Sequence, residues 1–245
     1  MKFRHDPMIR FYERTQDWLQ EKGRPFVIGI GIVAGLVFLY VAGSYFFDYR
    51  ETKAETAFAE AVEKFNAPIQ DPETPSTTPL PAKFYSDDET KWRDAGEAFE
   101  RLANDYSGYY RNIGRYYAGV CYLHIDRDKG LSLLEQVAAK NDPPTSNLAR
   151  LAVAEHYAAN GDNEKAIALY QQLLTSAPSL KPAVQIGLGR AYENIGDTEK
   201  AVEAYFEAAL PDRFSDAGSE AEKRLKAIAP DKLKELPVST PPVQP

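Results

Sequence analysis

Tyr122, Tyr157 and Tyr192 stand 35 residues apart, and their neighbours recur with them. A fixed period of this size dictates stacked supersecondary units rather than one globular core. The last copy holds Leu188, Gly189, Tyr192, Gly196, Ala201, Tyr205 and Ala208. The copy before it holds Val153, Ala154, Tyr157, Gly161, Ala166, Tyr170, Leu173 and Pro178. An earlier one holds Ala118, Gly119, Tyr122, Leu131, Ala138 and Pro143, with Asp126 where the period asks for glycine. The stretches GDNEKAIALY and GDTEKAVEAY are nearly copies of each other.

These marked positions resemble those of the tetratricopeptide repeat. The resemblance implies an all-α fold, a TPR-like α-solenoid of helical hairpins. Repeats are expected at about 113–141, 147–177 and 182–211, within a domain covering 48–228. The segments 52–65 and 90–105 read as one further repeat, split by a proline-rich insert at 66–81. Gly119, Ala154 and Gly189 are small where the two helices of a hairpin cross. Gly161 and Gly196 are expected to end first helices in a left-handed conformation. Asp162 and Asp197 are placed to cap the second helices. The stretch 215–228 reads as the capping helix that a solenoid needs at its end. The tail 229–245 is expected to be disordered.

The second constraint lies at the other end of the chain. Residues 26–47 carry no charge over 22 positions, and at 1.5 Å per residue such a helix reaches about 33 Å, enough for a bilayer core. Asp48 and Arg50 end the run, and Tyr40, Tyr45 and Tyr49 suit an interfacial belt. The run exceeds the apolar core of a signal peptide, so an uncleaved single anchor is expected. Ahead of it, Met8, Phe11, Tyr12, Thr15, Trp18 and Leu19 share one helical face, as in a short amphipathic helix on the inner membrane surface. Gly23 to Pro25 is expected to break that helix before the span. The leader 1–25 carries Lys2, Arg4, Arg10, Arg14, Lys22 and Arg24, whereas Arg50, Lys53 and Lys64 are the cations soon after the span. The positive-inside rule therefore places the N-terminus in the cytoplasm and the repeats outside the membrane, periplasmic in a Gram-negative cell. Gly31, Gly35 and Ala42 share a face that permits close approach of a second helix, and so a homo-oligomer through the membrane part.

Charge excludes one class of partner. Six of the 29 basic and four of the 36 acidic residues lie in 1–25, leaving a formal charge of −9 beyond the span. Such a surface repels nucleic acid, which needs basic patches. Cys121 is the single cysteine, too few for an internal disulfide or a zinc cluster. The three histidines, His5, His124 and His156, form no metal-binding spacing, and no nucleophile elbow, phosphate loop or dinucleotide fingerprint is present. Asp126, Asp128, Gly130 and Glu135 fall short of a calcium loop, and Asp87, Asp88 and Glu89 read as helix-capping charge. The chain is read as no enzyme, with no cofactor and no metal.

The repeat resemblance implies a concave groove lined by the first helix of each hairpin. Carried onto this sequence, the groove positions are Tyr116, Val120 and His124, then Leu151, Glu155 and Ala159, then Ile186, Arg190 and Asn194. These types do not make the Lys/Asn clamp for a terminal carboxylate found in chaperone-tail-binding repeats. They offer an apolar row flanked by mixed charge, suited to an extended or helical apolar segment.

The anchor and first helix, EKGRPFVIGIGIVAGLV followed by ETKAETAFAEAV, resemble the YfgM-type family of bacterial inner-membrane proteins. That resemblance implies association with the SecYEG translocon through the membrane part. It also implies a chaperone or adaptor role toward newly exported proteins. A dedicated scaffold for a cell-wall, secretion or outer-membrane assembly complex is the alternative.

Overall fold

The computed structural model describes residues 7–70 and 84–237, in two compact units that divide at Glu55 and Thr56. In the first unit, α1 (Pro7–Asn66, continuing into the second) is long and apolar enough from Gly31 onward to cross a membrane. Its side chains from Ile32 to Tyr49 stand exposed, with no other part of the chain covering them among the described residues. Ser44 and Thr52 donate their hydroxyls to the carbonyls of Val41 and Asp48, so these polar groups are satisfied within the helix. Arg50 and Lys53 lie over the rings of Phe46 and Tyr49, at 5.9 and 5.2 Å from their centroids. The expected break at Gly23 to Pro25 does not occur, because α1 runs through it. Proline removes one backbone donor, and the remaining ladder of an apolar helix has no other partners to turn to. Met8, Phe11 and Tyr12 are exposed, whereas the side chains of Thr15, Trp18 and Leu19 lie outside the described residues.

The second unit is a stack of hairpins. The end of α1 is followed by α2 (Asp88–Asp105), α3 (Tyr109–Tyr122), α4 (Arg127–Ala138), α5 (Thr145–Ala159), α6 (Asn163–Ser176), α7 (Lys181–Asn194), α8 (Thr198–Ala209) and α9 (Asp216–Ile228). Each packs on its chain neighbours, and α3, α5, α7 and α9 also touch one another in sequence. The even-numbered helices make no such contacts with each other among the described residues. The odd-numbered layer is therefore the tighter, inner one.

The core is built from one position per hairpin. Phe99, Leu134, Tyr170 and Tyr205 are all buried to 1 % exposure or less. Leu134, Tyr170 and Tyr205 fill space left by glycines on first helices. A methyl group added at Gly119 would lie 2.7 Å from Cγ of Leu134, and one at Gly189 would clash with the ring of Tyr205 at 2.4 Å from Cε1. Gly187 stands in the same relation to Tyr170, across the boundary between hairpins, and the sequence pattern did not mark it. Gly161 and Gly196 have φ of 85° and 81°, a region that glycine enters without steric cost.

The earliest of the three recurring units departs from the period. Asp162 and Asp197 donate their backbone N–H to the carbonyls of Tyr157 and Tyr192, five residues back, and Asp126 does so to Tyr122, four back. One residue is missing from that turn. Asp126 thus occupies the cap position, not that of the glycine, and accepts from the N–H of Lys129 at 3.1 Å. Buried Gly130 (not Leu131) is the counterpart of Ala166 and Ala201.

Asp197 caps α8 by accepting from the N–H of Lys200 at 3.2 Å, while Asp162 makes no side-chain bond to the backbone of α6 and pairs with Lys165 instead. The Lys200 ammonium and N–H hold the Asp197 carboxyl below its usual range. Its contribution is complete above the ordinary aspartate value near 3.8 and is lost as pH falls through the lower folded value. Asp197→Ala is expected to lower the thermal unfolding midpoint more than Asp162→Ala at pH 7, read by circular dichroism, with the difference vanishing in acid.

The recurring tyrosines link hairpin to hairpin. Tyr122 and Tyr157 donate to Glu100 and Glu135 of the preceding hairpin at 2.7 and 3.1 Å, and Tyr192 accepts from Gln171 at 3.1 Å. Lys129, Lys165 and Lys200 lie over the three rings, at 3.6, 5.1 and 5.3 Å from the centroids. Tyr122→Phe removes one rung and is expected to cost about 1 kcal/mol in a denaturant titration.

The ends of the insert are fastened. Gln70 N–H donates to Tyr85 O at 2.9 Å, and Tyr85 N–H to Pro68 O at 3.0 Å. Asp94 receives the Tyr85 hydroxyl and pairs with Lys64 at 2.6 Å. The rest of the proline-rich insert, 71–81, lies outside the described residues. At the other end, order runs further than expected. Residues 232–235 form a 3-10 turn, Leu233 and buried Leu236 pack beside Leu225, and Arg213 donates to Pro237 O at 3.3 Å. Two leucines give this stretch an apolar anchor despite the prolines that follow. Residues 238–245 lie outside the described ones.

Candidate functional site: a hollow between first helices

The C-terminal halves of α3 and α5 enclose a hollow of about 400 Å³ on the inner layer. Four of the expected groove residues meet there: Tyr116 and Val120 from α3, and Glu155 and Ala159 from α5. Helical spacing explains this, since residues four apart present one face. Leu123, Arg127, Ala152, His156 and Asn160 complete the lining and were not anticipated. Leu123, Ala152, His156 and Asn160 were within reach of the pattern, each one residue from a predicted position.

The other five expected residues lie elsewhere. Leu151 is half-buried against the cluster around Tyr170. Ile186 is 6 % exposed, packed in the cluster that includes Ala221 and Leu225 of α9. The capping helix covers this last position and leaves no open groove at Ile186. Arg190 pairs with Glu220 of α9 at 3.4 Å, and Asn194 donates to Asn163 at 3.2 Å. His124 belongs to a second hollow of about 560 Å³, lined by Asp88, Glu89, Trp92 and Ile125 as well. Its ring stacks on Trp92 at 4.1 Å, and burial holds its pKa below the usual imidazole value. In α1, Gly31 and Gly35 have nothing within 4 Å of an added Cβ, and Ala42 is exposed.

The polar groups of the first hollow differ in how well they are matched. Arg127 donates to Asn160 Oδ1 at 3.5 Å, and the Asn160 amide donates to the carbonyl of His156 at 2.7 Å. Glu155 makes no hydrogen bond or ion pair among the described residues. Desolvation by the surrounding wall raises its pKa, and the charge of Arg190 opposes this. Burial, aided by Tyr117 and Glu155, pushes the Tyr116 phenol up to about 12, so it stays neutral.

Cys121 is buried, and desolvation pushes its thiol up to about 12, far from a nucleophilic thiolate. No group of three His, Cys, Asp or Glu side chains that could hold a metal ion occurs among the described residues.

A solenoid of helical hairpins with an inner-face hollow defines a class of interaction modules. Tetratricopeptide-repeat family models match residues 125–181 and 157–218, the hairpins from α4 to α9. No curated protein and no solved structure matches the chain.

Proposed function

We propose that this chain is a membrane-anchored interaction protein whose repeats capture polypeptide segments in the hollow between α3 and α5. The observation that carries the reading is the hollow itself: apolar walls from Val120, Leu123, Ala152 and Ala159, with the unpaired carboxylate of Glu155 among them. Pockets of this kind, on a rigid scaffold, suit a segment with one apolar anchor. The apolar stretch of α1 serves as the anchor, and the excess of cations before it supports a cytoplasmic N-terminus with the repeats outside. The resemblance of that anchor to the YfgM-type family supports a place beside the SecYEG translocon, with newly exported proteins as clients. The open face at Gly31, Gly35 and Ala42 is where a translocon helix or a second copy would pack.

In-cell photo-crosslinking tests this directly, with one probe at Ala159 and another at Gly35. Translocon subunits from Gly35 and many unrelated exported proteins from Ala159 are expected. One recurring envelope protein from Ala159, with no translocon at Gly35, would replace this reading with that of a dedicated assembly scaffold. Absence of any protein adduct at Ala159 would remove the groove function altogether.

A further inference from the structure

The chemistry of the captured segment can be narrowed from the state of the charges around the hollow, taking the capture reading above as its basis. Arg127 is engaged with Asn160, Asn160 with His156, and Arg190 with Glu220. Glu155 alone among the charged groups lining the hollow has neither a hydrogen bond nor an ion pair among the described residues. Glu155 is solvent-exposed beside the apolar wall and free to take a cationic partner, and a charge so placed contributes selectivity between segments more than raw affinity. The formal charge of −9 beyond the span acts in the same direction, drawing cationic segments toward the face and repelling acidic ones.

We propose that the hollow selects segments in which a lysine or arginine flanks an aliphatic side chain. The aliphatic group enters between Val120, Ala152 and Ala159, and the cation pairs with Glu155. The Tyr116 phenol borders the same space and stays neutral, so it adds a polar contact without competing charge. This differs from a carboxylate-binding repeat, which presents cations to an acidic end, and from a purely apolar sink, which would be indifferent to flanking charge.

The test uses the full chain in detergent and three fluorescent synthetic peptides with identical leucine positions. Their flanking residues are lysine in one, serine in the second and glutamate in the third. Fluorescence anisotropy is expected to show the lysine peptide binding about fivefold more tightly than the serine peptide, the glutamate peptide more weakly than either. Glu155→Gln should abolish the preference for lysine, bringing the lysine and serine peptides to equal affinity. Glu164→Gln, which removes the same charge from an exposed site on α6, should leave the preference in place and so separate local pairing from the long-range field. Equal binding of the three peptides, or a lysine preference that survives Glu155→Gln, would overturn the selectivity and leave the capture reading standing. Failure of all three peptides to bind would overturn both.

Discussion

Leucine in place of Gly189 is expected to open the last hairpin and to cost at least about 3 kcal/mol. The Cα of Gly189 faces the ring of Tyr205 so closely that an added Cβ would lie 2.6 Å from Cδ1 and 2.7 Å from Cζ. Tyr205 is fully buried and donates its hydroxyl to Glu193 at 2.8 Å, so it cannot swing aside without abandoning both its packing and that bond. The crossing of α7 over α8 must therefore widen, which also strips cover from Ala201 and Ala208. Denaturant titration of the full chain in detergent, followed by helix ellipticity, checks this. An unchanged midpoint would refute the crossing geometry. Gly196→Ala serves as a milder comparison, since its strain is local to a left-handed turn with open space around it, and about 1 kcal/mol is expected.

Phe99→Ala should cost about 3–5 kcal/mol, with its effect confined largely to the first hairpins. Phe99 is completely buried and stacks on Tyr117 at 4.9 Å between ring centroids, with Phe58 at 6.1 Å and Phe65 at 6.3 Å. Removing the ring leaves a void that three aromatic neighbours of fixed shape cannot collapse into. Trp92 reports on this place, because it lies 5.5 Å from Phe65 and stacks on His124. Its emission is expected to shift to the red at lower denaturant than the loss of overall helicity. Coincident transitions at the wild-type midpoint would show that Phe99 is not the keystone of that end. Phe99→Leu, which keeps most of the volume, should cost far less.

Much of this architecture was written in the period of the tyrosines. Helix positions, the left-handed glycines at 161 and 196, and the small residues at the crossings follow from local steric demands that repeat with the chain. The shortened turn before Asp126 was not readable in that way. A fixed offset assigns Asp126 to the glycine position and Leu131 to the buried one, and the hydrogen bond from Asp126 N–H to Tyr122 O is what reveals the missing residue. The groove was legible as a face but not as a surface. Register places Tyr116, Val120, Glu155 and Ala159 on one side of their helices, whereas the fate of Ile186 depends on α9 folding back over it. Coverage of that kind is a tertiary event with no signature near residue 186. Nor could proline content show that Leu233 and Leu236 would hold the chain in place beyond α9.

Each boundary between hairpins has its own fit of sizes. Phe99 faces Tyr117, and Tyr170 faces Gly187. The facing residue is a tyrosine at the first of these boundaries and a glycine at the other, while the residue pressing on it changes from a stacked ring to an inserted one. The array is thus keyed like a set of unlike locks. Its hairpins cannot be exchanged, duplicated or excised as equivalent bricks, since moving the segment that bears Tyr170 next to the one that bears Tyr117 would set the Tyr170 ring against another ring where it now meets a glycine. Growth or shrinkage of such a chain by whole repeats would need a compensating change at the new junction, so the number of hairpins is fixed by the fit between neighbours and not only by the length of the gene.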